Sequence, residues 1–331
     1  MIERISDNIR ATIALSARSV RIFLKDKAGV FFSLLAPLIV FVLFVFFLGD
    51  VQIDQTKAIF QGMEYDEKAL KAFVNCWMIA GVVSVACVTV SFSAQSIMIA
   101  DRQNGNLSDI AVTPVRRTVI SVAYFISNCL ITFTILLCVL AVCFVYIAFT
   151  GWYMSAADVF AAVGVTVLSV LNASLISTFI CTFLSSVNAH GAVTGIMSAV
   201  IGFFMGAYMP VSIFPKAVQY IVLFVPSAYS AGIFRNIFMR GALEKLTESL
   251  PFAKDALGDA FSLRIDFFGH DAGMGTMFAA FAVTFAIFAA ALLITAALRG
   301  RKKIKCPKYS RAKRLRKTYI SRMYPNRRYH R

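Results

Sequence analysis

Charge is what this sequence has little of. Of its 331 residues only 15% are Asp, Glu, Lys or Arg, while 59% are hydrophobic. Chemistry-bearing motifs are equally scarce. The three histidines, His190, His270 and His330, never fall at metal-ligand spacing, and neither HExxH nor GxSxG occurs. No GxxxxGK[ST] loop is present, so the chain does not itself cradle nucleotide phosphates. The apolar runs hold essentially no Asp or Glu, with Asp158 at an edge, which argues against a proton- or ion-coupled transporter. Six of the seven cysteines (Cys76, Cys87, Cys129, Cys138, Cys143, Cys181) lie within apolar runs, and Cys306 follows them. Without CxxC spacing they read as small hydrophobes, not as redox or metal groups.

What is there is apolar sequence in runs of membrane-spanning length. A spanning helix needs about 20 apolar residues, and six runs qualify: 28–48, 72–98, 118–149, 157–183, 189–209 and 273–298. The expected fold class is therefore an all-α polytopic membrane protein. The first run is too long for a signal-peptide core, lacks a small-residue cleavage site and reads as a retained helix. Pro37 lies inside it, where a kink is tolerable because neighbouring helices can satisfy the freed carbonyl. Ahead of it, residues 2–26 space Ile2, Ile5, Ile9, Ile13, Val20 and Phe23/Leu24 close to a helical period, flanked by basic residues. This predicts an amphipathic helix in the membrane interface, or simply a topogenic basic flank.

The net charge of +16 is local. Residues 299–331 carry 15 of the 33 Lys and Arg and no acid, so the rest is nearly neutral at +1. That excludes a nucleic-acid-binding domain with a broad basic face and leaves a membrane body, 28–298, between an N-terminal helix, 1–27, and a polybasic tail. Lipid contact or topology anchoring is the expected role of the tail, with a specific partner site as the alternative. Basic residues in the short loops place both termini in the cytoplasm of a cell (plasma or inner) membrane protein.

Between Ala72 and Ala157 only Asp101, Arg102, Asp109, Arg116 and Arg117 are charged. All five fall in 101–117, which must therefore be a loop between the second and third spans. Its pattern predicts a mixed-charge helix that ends at Pro114 and touches something outside the bilayer.

Within the spans, Asn75, Ser84, Ser91, Gln95 and Asn172 supply neutral polar groups. In the fifth run Gly191, Gly195, Ser198, Gly202 and Gly206 form one small-residue stripe. The stripe fits close helix packing, the border of a translocation pathway, or both if this helix lies at a dimer interface. After it, Pro210, Pro215 and Pro226 punctuate two apolar pieces too short to span, at 213–225 and 227–239. They predict a re-entrant or interfacial helical hairpin on the outer side; a seventh and eighth span is the structural alternative.

These residues together resemble the permease subunit of ABC-2 type ATP-driven transporters, especially bacterial multidrug and daunorubicin-resistance-type exporters. Three features over roughly 1–298 carry the likeness: RIFLKDKAGVFFSLLAPLIVF at 21–41; Asp101, Gly105, Leu107, Ile110, Thr113 and Pro114 after the second span; and Pro210, Phe214, Pro215, Pro226, Tyr229 and Arg235 in the hairpin. The family commonly has Glu at the place of Asp101, and the basic tail and the long 240–272 loop are extensions. The resemblance implies a transport subunit that is not itself an enzyme and binds no cofactor. It would pair with an identical or related permease, while ATP and Mg sit on a separate ABC ATPase subunit. Segment 101–117 would be the coupling helix entering a cleft on that ATPase, with Leu107 and Ile110 as apolar contacts and Asp101, Arg102, Arg116 and Arg117 as polar ones. The implied cargo is amphipathic or lipophilic, drug- or antibiotic-like. Export of a lipid or lipid-linked glycan by the same fold, or a non-transport scaffold with a lipid-binding tail, are the alternatives.

Overall fold

A computed structural model describes residues 2–60, 65–111, 115, 117–248, 253–263, 265–267 and 270–300. Among them the chain is all-α and polytopic apart from one small ribbon. Six helical segments are long and apolar enough to cross a membrane: Leu35–Ile59, Glu67–Asn104, Thr118–Thr150, Ala156–Thr182, Val187–Phe204 and Met274–Thr295. The polybasic tail, 301–331, lies outside the described residues.

The N-terminal helix is α1 (Ile2–Lys25). Asp26 then ends it and starts α2 (Lys27–Ser33), accepting the Gly29 N–H at 3.0 Å as an N-cap. A second break at Leu34 begins α3 (Leu35–Leu43). The helix pattern here differs from the apolar run. The first segment long and apolar enough to cross a membrane runs from Leu35, where a span from 28 was expected, and continues as helix through a π turn (Phe44–Leu48) into α4 (Gly49–Ile59), residues expected in a loop. Pro37 lies in the first turn of α3, and the break at Leu34 falls where it should act, because Pro37 has no N–H for the Ser33 carbonyl four residues back.

The second span is α5 (Glu67–Ala94) extended by α6 (Ser96–Asn104), with a slight break at Gln95. It is the axis of the molecule. Nearly every residue of α5 from Ala69 to Ala94 is buried, enclosed by α3, α8 (Arg117–Thr150), α9 (Ala156–Thr182), α10 (Val187–Phe204) and α12 (Pro226–Phe238). The outer helices keep large apolar faces exposed, such as Phe149, Phe160 and Ile287. In lipid that exposure carries no hydrophobic penalty, so helix association relies on close packing and hydrogen bonds. Gly81 shows the closeness: a Cβ there would lie 2.9 Å from Ala207 Cα.

Beyond α10 the chain does not return at once to a span. Gly206, at φ 61°, terminates α10 in a Schellman arrangement in which the Ala207 N–H reaches the Gly202 carbonyl at 2.8 Å. The hairpin follows as α11 (Lys216–Leu223) and α12, bent by 96° at a short break. Each expected proline has a place in it. Pro210 precedes a 3₁₀ turn (Val211–Ile213), Pro215 opens α11, and Pro226 is the first residue of α12. The Tyr229 hydroxyl donates to the Leu223 carbonyl at 2.7 Å, pinning one arm to the other, and the Phe214 carbonyl accepts from Gln219.

The 240–272 region is not an open loop. It forms α13 (Arg240–Thr247), α14 (Ala253–Ala260) and an antiparallel ribbon of β1 (Ile265–Phe267) with β2 (His270–Ala272), before α15 (Met274–Gly300). Phe261 caps the first turns of α5, its ring 5.0 Å from Phe73 and 5.7 Å from Trp77. Gly241 lets α13 lie directly on the Tyr153 carbonyl. Arg240 pairs with the buried Asp158 at 3.2 Å, and Asp158 forms a capping box with Ser155 at the start of α9.

Candidate functional site

Where one helix ending at Pro114 was expected within 101–117, the described residues form two. Gly105, at φ 83°, stops α6, and α7 (Asn106–Ala111) starts directly after it. Only glycine adopts that backbone without strain. Thr113, Pro114 and Arg116 lie outside the described residues, and Arg117 opens α8. Leu107 and Ile110 are half-buried and pack against the core.

The charged residues of α6 face inward, to the chain's own elements. Asp101 is 4% exposed and accepts four hydrogen bonds. Arg18 of α1 forks onto it, Nη1 to Oδ2 at 2.7 Å and Nη2 to Oδ1 at 2.9 Å. The Tyr124 hydroxyl of α8 donates at 2.8 Å and Asn106 Nδ2 at 3.0 Å. Hydrogen bonding to Asp101 raises the Arg18 pKa further, so the pair stays ionised. Arg102 points to the other side, where Nη1 donates to the Thr182 carbonyl at 2.9 Å and also to that of Leu184. These carbonyls lie at the C-terminal end of α9, where a cation meets the negative end of the helix dipole. Next to it, Gln103 Oε1 accepts the Val187 N–H at 2.7 Å, at the first turn of α10. Three consecutive side chains thus tie the end of the second span to α1, α8, and the turn joining α9 to α10.

A second polar cluster lies deeper. Ser91 and Ser177 hydroxyls meet at 2.6 Å, and Asn128 Nδ2 donates to Ser177 Oγ at 2.9 Å and to Ser91 Oγ at 3.3 Å. Gln95 Nε2 donates to Thr178 at 2.5 Å, while Thr132 donates to Asn128 Oδ1 at 3.1 Å. The cluster joins α5, α8 and α9 inside the bundle. Asn172 donates to the Phe281 carbonyl at 3.4 Å, holding α9 to α15. Asn75 accepts from the Tyr146 hydroxyl at 3.5 Å, and Ser84 only returns to the Ala80 carbonyl of its own helix. Asn128, Thr132, Tyr124 and Gln103 went unnoticed in the sequence, and Arg18 counted only among the basic residues flanking the N-terminal stripe. The available signal for Asn128 was that it carries the one amide side chain in the longest apolar run.

The small-residue stripe divides. Gly191, Gly195 and Ser198 line an open groove of about 580 Å³ that Phe32, Asp26 and Tyr208 also border. A Cβ on Gly191 or Gly195 would meet nothing within 4 Å. Gly202 instead packs directly on the Tyr208 ring, and Gly206 is the helix stop. The buried Arg235 of α12 reaches the same turn, donating to the Met205 carbonyl and to the Gly206 carbonyl at 3.0 Å. Here, as at Arg102, a guanidinium caps a helix C-terminus.

No group of three or more potential metal ligands occurs among the described residues. No curated protein matches the chain. The ABC-2 type transporter family matches it over residues 10–239, a stretch that takes in most of α1, the α6–α7 junction, the stripe and the proline-punctuated hairpin. The chain therefore belongs to the ABC-2 type transporter family, as a membrane-embedded permease component.

Proposed function

We propose that this permease works as a pair, homo- or heteromeric, driven by separate ABC ATPase subunits that dock at the α6–α7 junction and export amphipathic or lipophilic compounds. ATP and Mg belong to those partner subunits. Both chain termini and the junction then lie on the cytoplasmic side, and the α11–α12 hairpin on the outer side. The observation that carries the reading is the set of bonds made by Asp101, Arg102 and Gln103. A displacement applied to α6 and α7 reaches α1, α8, α9 and α10 through side-chain bonds, and reaches the rest through the enclosed α5. Rigid elements joined in this way move as a body rather than absorbing the push. The groove along Gly191, Gly195 and Ser198 is the surface proposed for the second permease or for the pathway between the two.

The test is copurification with an ATPase subunit together with transport. Charge reversal at Arg116 and Arg117 should abolish ATPase association while leaving the permease inserted in the membrane, and Leu107→Asp should do the same where far-UV circular dichroism shows the permease still folded. Intact association and transport in both variants would overturn the coupling role. Substrate-stimulated ATP hydrolysis in the reconstituted complex then identifies the cargo, with lipophilic drugs tested against lipid-linked glycans.

A further inference from the structure

The N-terminal helix has two working faces. On one, Ser16, Ser19 and Phe23 are buried and Arg18 reaches Asp101. On the other, Ile13, Arg21, Leu24 and Lys25 are exposed. Between this second face and α8 runs an open slot of about 570 Å³, lined by Ile13, Val20, Leu24, Ile126 and Leu130 together with Arg21 and Lys25. Thr12 and Ser16 also border it, but their hydroxyls already donate to the Asn8 and Ala123 carbonyls at 2.8 and 3.0 Å. The walls therefore offer hydrocarbon, and the charge comes from two cations one helical turn apart. The neighbouring Asp26 turns its carboxylate to the Gly29 N–H.

We propose that this slot seats one anionic phospholipid, an acyl chain between α1 and α8 and its phosphate against Arg21 and Lys25. Two features select this occupant. Ile126 and Leu130 belong to a membrane-spanning helix, so the slot opens toward the acyl region, where a soluble anion has no place. The paired cations are unbalanced by any acid lining the slot, which favours a net negative headgroup over a zwitterionic one. The lipid would act as a structural ligand: it would hold against α8 the helix whose Arg18, three residues earlier, grips Asp101.

The full chain, purified into phosphatidylcholine nanodiscs doped with phosphatidylglycerol, can be examined by native mass spectrometry for retained lipid. Wild type should retain phosphatidylglycerol over phosphatidylcholine. Arg21→Gln/Lys25→Gln should lower that retention roughly thirtyfold, since each cation near an anionic headgroup contributes about 1 kcal/mol. Leu130→Trp, which fills the slot at an exposed position, should lower it with both cations kept. Arg10→Gln/Lys27→Gln removes the same charge elsewhere and should change nothing. Unchanged retention in Arg21→Gln/Lys25→Gln overturns the site. So does equal loss in Arg10→Gln/Lys27→Gln, or displacement of the lipid by inorganic phosphate.

Discussion

Arg18 and Asp101, 83 positions apart, meet in a two-pronged ion pair in which the carboxylate is buried and the guanidinium side chain is 38% exposed. Bidentate geometry makes this a strong form of charge-assisted contact. Partial exposure of Arg18 still lets solvent screen it, so the pair falls well short of a fully buried one. Arg18→Gln and Asp101→Asn should each destabilise the fold, and a double-mutant cycle should give a coupling of about 1–2 kcal/mol. Thermal unfolding in detergent measures it; strictly additive effects would mean the two side chains act independently.

The Asn128 cluster and Ser84 predict opposite results for similar polar deletions. Asn128→Leu removes the donor shared by Ser91 and Ser177 and should cost about 0.5–2 kcal/mol. Ser84→Ala, whose hydroxyl serves only its own helix, should stay within about 0.5 kcal/mol of wild type. Unfolding of the two variants in mixed micelles compares them directly.

At the α9–α10 turn, Gln103→Ala leaves the Val187 N–H without its acceptor. Hydrogen exchange over 184–190 should then quicken while α5 stays protected. Arg102→Gln should have the same local effect through the carbonyls of Thr182 and Leu184. Unchanged protection in both variants would show that α6 does not hold this turn.

Glycine substitutions separate packed from open positions. Gly81→Ala drives a methyl group into the Ala207 backbone and should destabilise by about 1–3 kcal/mol. Gly195→Leu meets open space, so the single chain should keep its stability. Loss of permease pairing or of transport in a stable Gly195→Leu variant, read by crosslinking and flux, is the result expected of the proposed groove.

Much of this architecture was legible from the apolar runs, because span length is set by bilayer thickness and lipid excludes charge. The hairpin was legible too, since its prolines sit where a helix must start. The start of the long α3 segment was not: the Asp26 cap and the break at Leu34 leave the apolar run unbroken in composition, with Pro37 three residues beyond the break as its one local mark. Nor was the inward turn of Asp101 and Arg102. A charged island between spans reads as solvated until Arg18, far away in sequence, arrives beside it. The order within 240–272 was hidden for a similar reason, because Phe261 gains its place only against Phe73 and Trp77.

The enclosure of α5 has a consequence for how the protein senses its surroundings. A bilayer that thickens or thins acts by mismatch on the helices it touches, tilting them at modest energetic expense. Such tilting acts directly on α8, α10 and α15, whose apolar faces are exposed. The second span is sheathed by its neighbours, so lipid thickness reaches it only second-hand. The protein thus separates a compliant shell, tuned by the membrane, from a stiff rod insulated from it.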